Sequence, residues 1–140
     1  MKYSVVFTSI EKTSNYQVNV PDLPGCSIVA ETIDSGIDEV TKAIKSHLEI
    51  LAEYGEKIPS GLSLENHRKS YMLENPHTYA QAFWAIIAID ITPYLGKSHK
   101  INVTLPELLI TQIDDKVNKS SDYKTRSGFI ASACLAELAK

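Results

Sequence analysis

Residues His99–Leu109 read HKINVTLPELL, and how this stretch is read decides the C-terminal fold. Ile101, Val103 and Leu105 alternate with Lys100, Asn102 and Thr104, the period of a strand with one apolar face. Pro106 stops the alternation, and Leu109, Ile113 and Val117 then recur four residues apart, as on one stripe of a helix. Ser120–Lys124 is polar and reads as a turn. Thr125 is placed to cap a second helix over Arg126–Leu138, whose apolar residues include Phe129, Ile130, Ala133, Cys134 and Leu138.

One short strand and two short helices cannot bury these stripes alone. Two copies can, by pairing their strands into an antiparallel ribbon over four helices, so the pattern predicts an isologous dimer. A ribbon of this kind fits the DNA major groove. Lys100, Asn102 and Thr104 would face base edges, where Asn suits adenine, Lys suits guanine, and Thr suits either or a thymine methyl. Thr125, Arg126 and Ser127 at the start of the second helix would hold a phosphate through free amides, a hydroxyl and a cation. A merely solvated strand face would share the alternation. The order strand, proline, helix, turn, capped helix favours the DNA reading.

The first ninety residues read differently. Strands are predicted over Tyr3–Ile10, Tyr16–Val20 and Ser27–Ile33, with a polar turn at Glu11–Asn15 and a PDLPGC turn at Pro21–Cys26. Ile37, Val40, Ile44, Leu48 and Leu51 mark a helix from about Asp34 to Tyr54, capped by Thr32 or Asp34 and stopped at Gly55. Glu56–Gln81 is loop-rich, with a short helix over Leu64–Leu73. Ala82–Ile91 is apolar on both faces, which predicts a central strand covered by the helix. The domains are therefore expected at 1–91 and 100–140, joined by 92–99 (TPYLGKSH).

Charge divides the same way. Residues 1–91 hold seven Lys/Arg against twelve Asp/Glu, and residues 92–140 hold seven against five. The acidic part suits a basic protein partner better than nucleic acid, and the basic part suits DNA. No apolar run has the length of a membrane span, and the N-terminus does not read as a signal peptide, so a cytoplasmic location is expected. Cys26 and Cys134 form no CxxC pair and read as reduced thiols; no structural zinc site is expected.

The C-terminal KINVTLPELLITQIDDKV with KTRSGFIASACLAEL resembles the ribbon-helix-helix repressors. Together with YQVNVPDLPGC, a strand and an amphipathic helix, nearly the whole chain resembles the HicB antitoxin family. The resemblance implies an α+β fold: a partial, degenerate ribonuclease-H-like N-terminal domain followed by a dimeric ribbon-helix-helix domain. It implies an antitoxin that neutralises a HicA-like ribonuclease toxin and represses its own operon. Base reading falls on Lys100, Asn102 and Thr104, and the phosphate clamp on Arg126 and Ser127. Partners would be the toxin, operator DNA and a second copy, with a tetramer open. The polar stretch Pro59–Tyr79, with His67, Arg68, Lys69 and His77, departs from the usual HicB pattern and leaves the toxin-facing surface unassigned.

No catalytic set stands out. Two-metal hydrolysis needs converging carboxylates, and Asp22, Asp34, Asp38, Glu49 and Asp90 are scattered over a turn, a helix and a strand end. His47 reads as a packed or surface residue. Neither an enzyme nor a cofactor is expected. Two alternatives stay open: a divergent metal-dependent ribonuclease with a DNA-binding tail, and a ribbon-helix-helix repressor whose first domain senses a ligand.

Overall fold

The alternating N-terminal residues form β1 (Lys2–Ser9), which pairs on one side with β2 (Tyr16–Asn19); β3 (Ser27–Ala30) follows on β2. β4 (Phe83–Ala88) returns along the other side of β1, giving a wholly antiparallel sheet of order β3-β2-β1-β4. This computed structural model describes residues 1–140, which divide into two compact units, Met1–Gly96 and Lys97–Lys140.

In the first unit α1 (Ile33–Glu53) covers one sheet face and buries Val40, Ile44 and Leu48, each contributing roughly 1.5–3 kcal/mol. Its start is set by Thr32, whose side chain accepts from the Ser35 amide while Ser35 returns a bond to the Thr32 backbone. That cap ends β3 at Ala30, three residues before the expected Ile33. Gly36 lets the helix approach the sheet: an added Cβ would lie 2.5 Å from a Phe7 ring carbon.

The loop-rich stretch is more ordered than its composition predicts. α2 (Leu64–Glu74) and the single-turn α3 (Pro76–Tyr79) form there, capped by Ser63 and Asn75. Tyr71 stacks edge-on against Trp84 at 5.4 Å and against Tyr79 at 4.8 Å, so this segment covers part of the second sheet face. Val6, paired with Trp84, is thereby fully buried.

One expectation is overturned here. β4 lies at the sheet edge rather than its centre, with Phe83 44% and Ile86 53% exposed. Apolar character on both faces reflects α1 on one side and the Tyr71 layer on the other, and neither covers the strand completely. Thr92–Tyr94 then form a 3₁₀ turn against α1, and Gly96, at φ +100, closes the unit.

The second unit contains α4 (Glu107–Lys119) and α5 (Arg126–Leu138), in close agreement with the spacing of their apolar residues. The strand expected over Lys100–Leu105 does not form in the single chain. A strand needs a neighbour to satisfy its backbone, and one copy offers none. Ile101 and Val103 stand 79% and 62% exposed as a result.

Candidate functional site

In the second unit, Lys100, Asn102 and Thr104 lie along the exposed stretch before Pro106, interleaved with the uncovered Ile101 and Val103. Leu108 and Leu138 are also exposed, and Ile113 is the one buried hydrophobic residue of this unit, at 5%.

The start of α5 is built around Thr125. Its backbone is extended, and its hydroxyl accepts from the Gly128 amide at 3.0 Å. The amides of Arg126 and Ser127 precede the first intrahelical bond and have no partner within the helix. Ser127 is exposed. The Arg126 guanidinium forks onto Asp114 of α4, with Nε to Oδ1 at 2.9 Å and a terminal nitrogen to Oδ2 at 2.7 Å. These bonds, and then the charge of Arg126, hold the Asp114 carboxyl below its ordinary range; the same pairing raises the guanidinium. Arg126 therefore ties α5 to α4 as well as standing at the helix start. Tyr123 packs edge-on against Phe129 at 5.0 Å and steadies the turn between the helices. The Asp114 contact was not visible in the sequence, because twelve residues and a turn separate the two partners.

The first unit has its own polar centre. Asp22, in the PDLPGC turn, is buried with its Oδ1 2.9 Å from His67 Nε2 of α2. The same oxygen accepts from the Leu62 amide at 3.1 Å, and Oδ2 is buried without a partner. The Tyr3 hydroxyl donates to the Pro59 carbonyl at 2.8 Å. Burial, and then the charge of Asp22, push the Tyr3 phenol up to about 12. Gly61 passes so close to β1 that an added Cβ would meet the Lys2 carbonyl oxygen at 2.0 Å. These contacts form a strap that binds residues 59–67 across the start of β1 and the PDLPGC turn. The turn itself is closed by Val20, Leu23 and Cys26 backbone bonds, with Gly25 at φ +86.

The remaining carboxylates considered for metal chemistry stay apart. Asp34, Asp38 and Glu49 lie exposed on α1, and Asp90 accepts from the Thr92 amide at 3.0 Å. No three His, Cys, Asp or Glu side chains gather closely enough to hold a metal ion. His47 is half-buried on α1. Of the polar stretch, His67 faces inward, while Arg68 and Lys69 line a shallow groove of about 420 Å³ on α2 with Leu64, Glu65 and Met72. No helix is long and apolar enough to cross a membrane.

Residues 3–134 match a family model described as HicB_like antitoxin of bacterial toxin-antitoxin system. The crystal structure of the antitoxin HicB from Burkholderia pseudomallei is similar over 99% of this chain and 98% of its own, with 34% identity and a TM-score of 0.69. An uncharacterized 14.9 kDa protein of Haemophilus phage HP1 is 32% identical over 123 residues, 87% of this chain and 88% of that one. A chain of a HicA3–HicB3 toxin-antitoxin complex shares the fold over 64% of this chain and 99% of its own, with a TM-score of 0.50 and 18% identity.

Proposed function

The chain belongs to the family of HicB-like antitoxins of bacterial toxin-antitoxin systems, and we propose that it has two stoichiometric tasks. The first unit covers a HicA-like ribonuclease toxin, and the second binds the operator of its own genes. The match spans both units, and this supports assigning both tasks to one chain. The acidic balance of the first unit, with twelve Asp/Glu against seven Lys/Arg, suits a basic nuclease and competes with its RNA.

The observation that carries the DNA half is the bareness of the second unit. Forty-four residues with Ile113 as the one buried hydrophobic side chain cannot hold a fold alone. A second copy placed with its 100–105 stretch antiparallel to the first completes a two-stranded ribbon. Ile101, Val103, Leu108 and Leu138 then gain cover. Lys100, Asn102 and Thr104 of each copy line the outer face and read bases in the major groove. Thr125, Ser127 and the free amides at the start of α5 grip a phosphate, and Arg126 joins them by sharing its charge between Asp114 and the DNA.

Neither task calls for a cofactor or a bond-breaking step, and the family assignment favours a binding protein over a divergent ribonuclease. The test is Asn102→Ala in the full chain. Operator binding should weaken by about 1–3 kcal/mol while binding to random DNA and rescue from the toxin are unchanged. Equal discrimination between operator and random DNA in the variant and the parent would remove the base-reading assignment.

A further inference from the structure

A pocket of about 400 Å³ lies beside the PDLPGC turn, with walls that include Asn19, Pro21, Pro24, Cys26, Ser27 and Tyr71. Val20, Leu23 and Cys26 close the turn through their own backbone bonds, and the Asp22–His67 contact at 2.9 Å ties α2 to it. The pocket is therefore formed before anything enters it. Its residues are short of donors. Pro21 and Pro24 carry no N–H, and the carbonyls of Pro21, Asp22, Pro24 and Gly25 accept no backbone bond within the chain. The side-chain oxygens of Asn19, Ser27 and Tyr71 add further acceptors, and no hydrogen bond within the chain engages them.

The charges that reach this pocket are negative. Burial comes first in raising the Tyr71 phenol, followed by Tyr79 and then by the carboxylates Glu74 and Asp22. The Asp22 side chain is 4% exposed and its Oδ2 is buried without a partner, so its charge is incompletely answered inside the chain. Arg68 and Lys69, the cations of α2, line the separate groove described above.

We propose that the pocket holds the guanidinium of an arginine side chain supplied by the toxin, a reading that rests on the toxin capture proposed above. An acceptor-rich, negatively biased wall rejects an anion. A guanidinium brings five N–H donors in a planar fork, which can use several separated acceptors at once, and its plane stacks on a tyrosine ring. A lysine ammonium offers its three donors at one point and lacks that plane. Neither arginine of the chain is free to fill the pocket: Arg68 lies on the α2 groove, and Arg126 is held by Asp114 in the second unit. A nuclease holds RNA phosphates with cationic side chains, among which arginine makes the bidentate contact. Burying one of them here would remove a phosphate contact from the toxin as well as anchor it.

Two measurements on the full chain test this. In the first, N-acetyl-arginine amide is titrated in and read by NMR shifts. Shifts centred on Asn19, Gly25, Ser27 and Tyr71 are expected, and none with the citrulline analogue, which keeps the shape and loses the charge. Tyr71→Phe keeps the ring against Trp84 and should weaken the amide about threefold. Absence of shifts at these residues, or an equal response to citrulline, would overturn the pocket as a guanidinium site. The second measurement is capture of a tagged HicA-like toxin. Ser27→Arg, exposed at the start of β3, supplies a guanidinium from within and should weaken capture about tenfold or more, with an unchanged far-UV spectrum. Ser14→Arg, exposed in the turn at the other end of β2, makes the same change of charge and should leave capture intact. Full capture by the Ser27→Arg protein, or equal loss in both variants, would overturn the toxin as occupant. A parent that captures no toxin, with the arginine-amide shifts still present, would overturn the function on which that occupant rests.

Discussion

Replacing Asp22 with alanine tests whether the strap stabilises the first unit. The carboxylate accepts two bonds, from Leu62 N–H at an exposed position and from His67, whose side chain is removed from water with that of Asp22. Hydrogen bonds to a charged acceptor contribute about 1.5–3 kcal/mol each, and a buried donor left alone costs about 1–3 kcal/mol. Part of this is offset, because Asp22 Oδ2 is already buried without a partner and its desolvation is relieved on removal. A net loss of about 3 kcal/mol is expected, which at a urea m-value of about 2 kcal/mol/M lowers the midpoint by about 1.5 M. Trp84, the one tryptophan, reports this directly because Tyr71 of the strapped helix stacks against it. Asp22→Asn retains the Oδ1 acceptor and should lose about half as much. In a double-mutant cycle with His67→Ala, the coupling should exceed about 1 kcal/mol. A midpoint within about 0.2 M of the parent, at the same m-value of about 2 kcal/mol/M, or additive single variants, would refute the strap as a stabilising device.

Tyr3 gives a pH prediction. Its folded pKa, about 12, lies above the ordinary phenol value of 10.0, so the stability it contributes is complete below pH 10 and is lost as pH rises from 10 to 12. Base titration monitored by Trp84 should show this loss, and Tyr3→Phe should reduce it, leaving the share of Tyr71, whose phenol burial also raises. Gly61→Ala places a methyl group on the Lys2 carbonyl and should destabilise the first unit by about 1–3 kcal/mol, read from the urea midpoint. Asp114→Ala frees the Arg126 fork. Operator affinity should rise at low salt, and the slope of log K against log salt should steepen by about one; an unchanged slope would remove Arg126 from the phosphate contacts.

Helices were read from the sequence more accurately than sheet order. The stripe Val40, Ile44, Leu48 located α1, and Leu109, Ile113, Val117 located α4, because a helix is set by neighbours three and four residues away. The place of β4 was not legible: six apolar residues look alike at an edge or in a centre, and pairing to a strand eighty residues earlier decides which. The extended 100–105 stretch was read as a strand because its alternation is clear, but its ladder partner lies outside a single chain. Asp22 and His67 are 45 residues apart and follow no local pattern, so nothing in the spacing revealed the strap. The Arg126 fork was missed for the same reason, although the Thr125 cap that positions it was legible.

Ile113 as the lone buried anchor of its unit has a quantitative consequence. Under the proposed pairing, that unit's folding is a mass-action equilibrium, so its stability changes with protomer concentration. Below the dissociation constant, halving the free protein leaves a quarter of the paired species. Repression would then fall off quadratically as the protein is diluted by growth or removed by proteases, and the promoter would reopen well before the supply ran out.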